Sequence, residues 1–136
     1  MRENNRGTVL VIEDDPDFSE YVTTTLSDHG YHTEIVMDGD EALNKAKSVR
    51  PIGITLDILL PGRTGISVYR RLRKDKATQN IPIVILSGVG TTGERLDISR
   101  FFQGRAVRPP EKVLQKPVEP ETLVQAVDEA IAREAA

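Results

Sequence analysis

The 136-residue chain contains no cysteine. Neither disulfides nor thiolate metal sites can hold its fold, and a reducing compartment is compatible with it. No apolar run approaches the roughly eighteen residues needed to cross a bilayer. The first seven residues, MRENNRG, are polar throughout and lack the apolar centre of a signal peptide. Charge of one sign is not in large excess: 18 Lys and Arg against 21 Asp and Glu leave a formal net charge of −3. That balance gives no support for nucleic acid as the main partner. The one basic run, Arg70-Arg71-Leu72-Arg73-Lys74, reads as a solvated helix face. Internal repeats, low-complexity tracts and linkers are also lacking. A 38% hydrophobic chain of this length has one modest core and no second domain. A cytoplasmic domain without membrane insertion is expected.

Short apolar runs alternate with helical patterns along the chain, the signature of a βαβ architecture. The run TVLVIE opens as a strand, and Asp15-Pro16 resembles an N-cap followed by proline at the first helical position. Phe18, Val22 and Leu26 recur at four-residue steps until Gly30 closes that helix. His32 to Val36, IGITLD and IPIVILS read as further strands, and Val113 to Gln115 as a short last one. Between them fall a helix from Gly39 to Ser48 and another carrying Ile66, Val68, Tyr69 and Leu72. A closing helix from about Glu119 to Arg133 puts Leu123, Val124, Val127 and Ile131 on one stripe. Five strands and five helices in alternation predict an α/β, doubly wound parallel sheet with helices on both faces. The expected boundaries are a tail over 1–7, one domain over 8–133 and a tail over 134–136.

Ligands of such sheets bind beyond the carboxyl ends of the strands, near the point where strand order reverses. The predicted strands end in Glu13-Asp14, Asp57, Ser87 and Lys116, each a polar group closing an apolar run. If the first and third strands are neighbours, three carboxylates meet one hydroxyl and one ammonium. Crowded carboxylates disfavour one another's ionisation unless a cation offsets them. Hard oxygen donors of this kind suit Mg²⁺, which would also screen an incoming phosphate dianion and leave one carboxylate free to attack phosphorus. The expected product is an aspartyl phosphate. Asp15, placed before Pro16, reads as a helix cap rather than a ligand. His29 and His32 read as surface or turn residues.

The order of Glu13-Asp14, Asp57 with Pro61 and Gly65 in DILLPGRTG, Ser87, and Lys116-Pro117 in LQKPVEP resembles the receiver domain of two-component response regulators over residues 8 to 133. The resemblance implies a flavodoxin-like strand order 2-1-3-4-5. It also implies Asp57 as phosphoacceptor, Asp14 as direct Mg²⁺ ligand, Glu13 acting on the metal through water, and the backbone carbonyl of Leu59 as a further ligand. Ser87 would be the switch hydroxyl, Lys116 the lysine that contacts the phosphoryl group, and the bond before Pro117 cis. The implied phosphodonor is a histidine kinase or phosphotransfer protein. With the chain ending at its last helix, output is expected through a partner protein rather than through direct contact with nucleic acid. Enzymatic activity would be limited to Mg²⁺-dependent self-phosphorylation from small donors and autodephosphorylation.

Other classes are weaker. Gly88-Val89-Gly90-Thr91-Thr92-Gly93 matches a dinucleotide-binding GxGxxG, but it follows the fourth strand rather than the first. Glu94-Arg95 stands where a phosphate-binding loop needs Lys and Ser or Thr. Aspartyl-nucleophile phosphatases carry a second Asp two positions on, where this chain has Leu59. A non-phosphorylated interaction module leaves the full set of acids, Ser87 and Lys116 unexplained. Two departures from the receiver pattern stand out. Val113 occupies the position of a common aromatic switch residue, and the segment between the fourth and fifth strands is atypical and long, with Phe101-Phe102 and Pro109-Pro110. Residues 88 to 110 are read as a specialised, movable surface.

Overall fold

The structure, a computed structural model, describes residues 6–58, 65–88 and 108–135. Five parallel strands, β1 Thr8–Ile12, β2 His32–Val36, β3 Gly53–Asp57, β4 Ile83–Ser87 and β5 Lys112–Gln115, form one sheet in the order β2-β1-β3-β4-β5. Parallel neighbours need crossover connections. Among the described residues these include the helices α1 Pro16–Asp28, α2 Gly39–Val49 and α3 Gly65–Lys74, with α4 Pro120–Ala135 closing the chain. The expected fourth helix and the Phe101-Phe102 pair fall outside the described residues.

Strand alternation sorts the core into two halves. Leu10, Ile12, Ile54, Leu56, Ile83 and Ile85 face α2 and α3, meeting Ala42, Ala46, Val68, Tyr69 and Leu72. Val9, Val11, Val84 and Leu86 face α1 and α4, meeting Val22, Leu26, Leu123 and Val127. β3 and β4 are buried at every position, as continuous apolar runs covered on both faces require.

The helix ends follow local chemistry. Asp15 caps α1 by accepting a hydrogen bond from the Asp17 amide at 3.0 Å, with Pro16 opening the helix. Asp38 caps α2 in the same way through the Asp40 amide at 2.8 Å. Arg50 takes the left-handed conformation, φ 54°, to end α2 immediately before Pro51. Arg6 and Gly7, expected in the N-terminal tail, are held to the body: the Arg6 guanidinium lies 3.2 Å from Asp128 and over the Tyr31 ring.

The basic run on α3 requires a correction. Arg73 is not solvated but buried, its guanidinium paired with Glu111 at 2.8 Å and donating to the carbonyls of Ile81 at 2.7 Å and Gln79 at 3.1 Å. Glu111 also accepts from the Ile83 amide at 2.6 Å and from Arg108 at 2.8 Å. The Tyr69 hydroxyl donates to the Arg108 carbonyl. These contacts anchor the end of the 88–110 stretch to the amino-terminal ends of β4 and β5.

The hydroxyls of Ser19 and Thr55 are buried without a hydrogen-bond partner among the described residues. A buried orphan hydroxyl costs its desolvation. Thr55→Val keeps the branched shape and removes the polar atom, so it should raise stability by about 1 kcal/mol. Urea unfolding should show a higher midpoint with an unchanged slope, and a lower midpoint would contradict the assignment.

Candidate phosphoacceptor site

The carboxyl ends of β1 and β3 lie side by side because Ile12 pairs with Leu56. Glu13 continues the alternation of Val9 and Val11, and Asp57 pairs in register with Leu86, so both acids point to the α1 and α4 side. Carboxylate oxygens of Glu13, Asp14 and Asp57 lie within 4.8 Å of one another. Glu13 and Asp57 are buried, at 2% and 4% exposure, and Asp14 is half-buried. Asp15 stands outside the cluster, its carboxylate engaged in capping α1 and its amide donating to Glu13 at 3.2 Å.

Lys116 enters from the other side of the switch point. The Ser87 carbonyl accepts the Lys116 amide at 2.8 Å, which sets the lysine just beyond the ends of β4 and β5. Its Nζ reaches 3.3 Å from Glu13 Oε1 and 3.5 Å from Asp57 Oδ2. The ring of Phe18, on the first turns of α1, lies under the same ammonium at 4.1 Å. The peptide bond between Lys116 and Pro117 is cis. A recess of about 710 Å³ opens beside it, lined by Phe18, Tyr21, Gly88, Pro117, Val118 and Pro120.

Ser87 is buried, but alternation groups it with Ile83 and Ile85 on the opposite side from Asp57. Its hydroxyl lies 3.5 Å from the Gly88 carbonyl, at the outer limit of a hydrogen bond. Leu59 and Pro61 fall outside the described residues. Gly65 opens α3 against the acid-bearing strand end: a Cβ there would lie 2.4 Å from Ile58 Cα and 2.5 Å from the Asp57 carbonyl oxygen. Only glycine lets the helix start this close, which accounts for its position eight residues after Asp57. In the sequence Phe18 is one member of an apolar stripe with Val22 and Leu26. The available signal was an aromatic one turn past the acids, where a helix faces the ligand-binding edge.

Burial pushes the Glu13 carboxyl up to about 7, reinforced by its hydrogen bond to Asp57 and the Asp57 charge, and opposed by the Asp15 amide and Lys116. Three hard carboxylate donors that crowd until one retains a proton fit a divalent cation of the Mg²⁺ type. Relative to an unfolded glutamate, the folded group binds extra protons between about pH 4.5 and 7. In that window its contribution to metal-free stability therefore falls as pH rises. A bound cation requires the ionised form, so Mg²⁺ should raise Tm more at pH 8 than at pH 6. Equal shifts at both pH values would contradict this.

Against this geometry, comparisons with known proteins agree. The family model described as response regulator receiver domain matches residues 9–128. The DNA-binding response regulator MtrA of Mycolicibacterium smegmatis is 34% identical over 122 residues, covering 90% of this chain and 49% of that protein. The chain thus spans about half the length of the curated relatives it matches. Among solved structures, the chemotaxis response regulator CheY4 of Vibrio cholerae superposes with a TM-score of 0.75 at 31% identity, covering 90% of this chain and 97% of that one. The receiver domain of the sensor histidine kinase PA1611 from Pseudomonas aeruginosa PAO1, solved with a magnesium ion coordinated in its active site cleft, superposes with a TM-score of 0.77 at 25% identity, covering 93% of this chain and 98% of that one. No helix among the described residues is long and apolar enough to cross a membrane. With its strand order, its acid cluster and its facing lysine, the chain belongs to the receiver domain family of two-component response regulators.

Proposed function

We propose that Asp57 accepts a phosphoryl group from a phosphohistidine on a kinase or phosphotransfer protein, and that the phosphorylated domain signals through a partner protein in the cytoplasm. The observation that carries this reading is the meeting of Glu13, Asp14, Asp57 and Lys116 at the carboxyl ends of the strands. Glu13, Asp14 and Asp57, with the carbonyl of Leu59, would hold Mg²⁺. When bound, Mg²⁺ would neutralise the crowded charge and screen the incoming phosphoryl group.

A carboxylate oxygen of Asp57 forms the new bond to phosphorus as the bond to the donor nitrogen breaks, and the imidazole departs with the electron pair. Burial of Asp57 shields the acyl phosphate from water. Lys116, already 3.5 Å from Asp57 Oδ2, pairs with the transferred oxygens. Ser87, which alternation places on the opposite face from Asp57, is the proposed switch hydroxyl and reaches the phosphoryl oxygens only if the end of β4 moves with it, releasing the Gly88 carbonyl. The domain acts as an acceptor rather than a turnover enzyme: any activity is self-phosphorylation from small donors and slow hydrolysis of its own product. DNA binding is named for a relative about twice this length, and the proposed output route of this domain is a protein.

The test is the chemistry of the label. Phosphoramidate with Mg²⁺ should add one phosphoryl group that hydroxylamine removes, as an acyl phosphate requires. A hydroxylamine-stable label would place it on a hydroxyl and contradict the proposal.

A further inference from the structure

Among the described residues the Lys116 ammonium has three contacts, and they differ in kind. Two are the carboxylates of Glu13 and Asp57 at 3.3 and 3.5 Å. The third is the face of the Phe18 ring, 4.1 Å from Nζ. A cation that takes the carboxylates competes with the first two and leaves the third alone, because a ring face binds an ammonium but is no ligand for Mg²⁺. The ring is itself braced. Phe18 packs on Tyr21, one turn along α1, with centroids 5.8 Å apart. Tyr21 donates its hydroxyl to the Val118 carbonyl at 2.5 Å, fixing the loop two residues past Lys116 to the same helix. Asp15 caps that helix beside the acids, so one rigid element sets the positions of both the acid-bearing loop and the ring.

We infer that Phe18 is a positioning residue: its ring is the seat that keeps the Lys116 ammonium over Asp57 when a divalent cation engages Glu13 and Asp57. The inference rests on the phosphoacceptor reading for its consequence, but the seat can be measured separately. Lys116 is about a quarter exposed. There the ring's electrostatic attraction competes with water, so an aliphatic residue of similar size fills the space without holding the charge.

The first measurement is the ring-current shift of the Lys116 ε-methylene protons. They should resonate upfield of the other lysines, remain so after Mg²⁺ is added, and move to the ordinary position in Phe18→Leu. The second is the rate of phosphoryl uptake from phosphoramidate at saturating Mg²⁺. Phe18→Leu should slow it roughly three- to tenfold with Mg²⁺ affinity unchanged, and Phe18→Tyr should restore it to within about twofold. A residue that merely fills space would leave the leucine and tyrosine variants alike. Loss of the upfield shift on adding Mg²⁺, or equal uptake by wild type and Phe18→Leu, overturns the inference. Failure of the wild type to take up any phosphoryl group overturns the phosphoacceptor reading itself, an outcome distinguishable because the shift reports on the seat without any phosphorylation.

Discussion

Arg73→Met should destabilise the domain by about 3 kcal/mol, a Tm loss on the order of 10 °C. Methionine keeps much of the apolar stem and removes only the guanidinium. The Glu111 carboxylate, 6% exposed, then loses Arg73 Nη2, which reaches both of its oxygens at 2.8 and 3.1 Å. The carbonyls of Ile81 and Gln79 lose their donor at the same time. Breaking one half of a buried pair leaves an uncompensated charge, which is why the cost exceeds that of a surface ion pair, typically 0 to ~1 kcal/mol. The remaining bonds to Glu111 from the Ile83 amide and Arg108 put the loss at the lower end of the range for such pairs.

The pH dependence follows from the same contacts. Burial pushes the Glu111 carboxyl up, but the Ile83 amide and the Arg73 and Arg108 guanidiniums outweigh it, holding the group below its ordinary value. A depressed carboxylate contributes stability above its unfolded value and loses it as pH falls through its folded one. The gap between wild type and Arg73→Met should therefore narrow on acidification below the ordinary carboxylate range. A loss under about 1 kcal/mol at neutral pH would contradict the assignment. Since this network lies at the amino ends of β4 and β5, the folded variant should still take up a phosphoryl group.

Arg73 also shows where sequence reading stops. Periodicity and strand ends predicted the parallel sheet, while the strand order came through family resemblance, because a buried apolar run and a polar terminus are local features. The acid cluster was legible for the same reason: Glu13, Asp14 and Asp57 each end a run, and neighbouring β1 and β3 bring them within 4.8 Å. The burial of Arg73 depends on Glu111, 38 residues away, and on the α3 face turned inward. Nothing in residue type separates that arginine from Arg70 and Arg71, which stay half-buried, and the other cation of the run, Lys74, is exposed. Phe18 is a similar case, since its partner Lys116 is 98 positions distant and its apolar spacing fits an ordinary core stripe. Arg50 reverses the lesson. A left-handed cap usually selects glycine, and here arginine occupies it, so only Pro51, directly after it, marks the end of α2 in the sequence.

The largest functional effect is expected at Asp57. Asp57→Asn replaces the attacking carboxylate with an amide of nearly equal size, so phosphoryl uptake should vanish while the fold persists. It also removes the Asp57 charge that helps raise the Glu13 carboxyl. The metal-free variant at neutral pH should therefore melt at or above the wild-type temperature. The same relief should bring Glu13 closer to its ordinary ionisation and reduce the dependence of Mg²⁺ binding on pH. A variant that misfolds would show the opposite pattern, with a lower Tm and lost uptake together.

The central claim is that Asp57 is the acceptor, and intact mass spectrometry of wild type and Asp57→Asn side by side, after phosphoramidate with and without Mg²⁺, tests it most directly. The wild type should gain the mass of one phosphoryl group only when Mg²⁺ is present, and Asp57→Asn should gain none. Undiminished labelling of the folded Asp57→Asn protein would contradict the account.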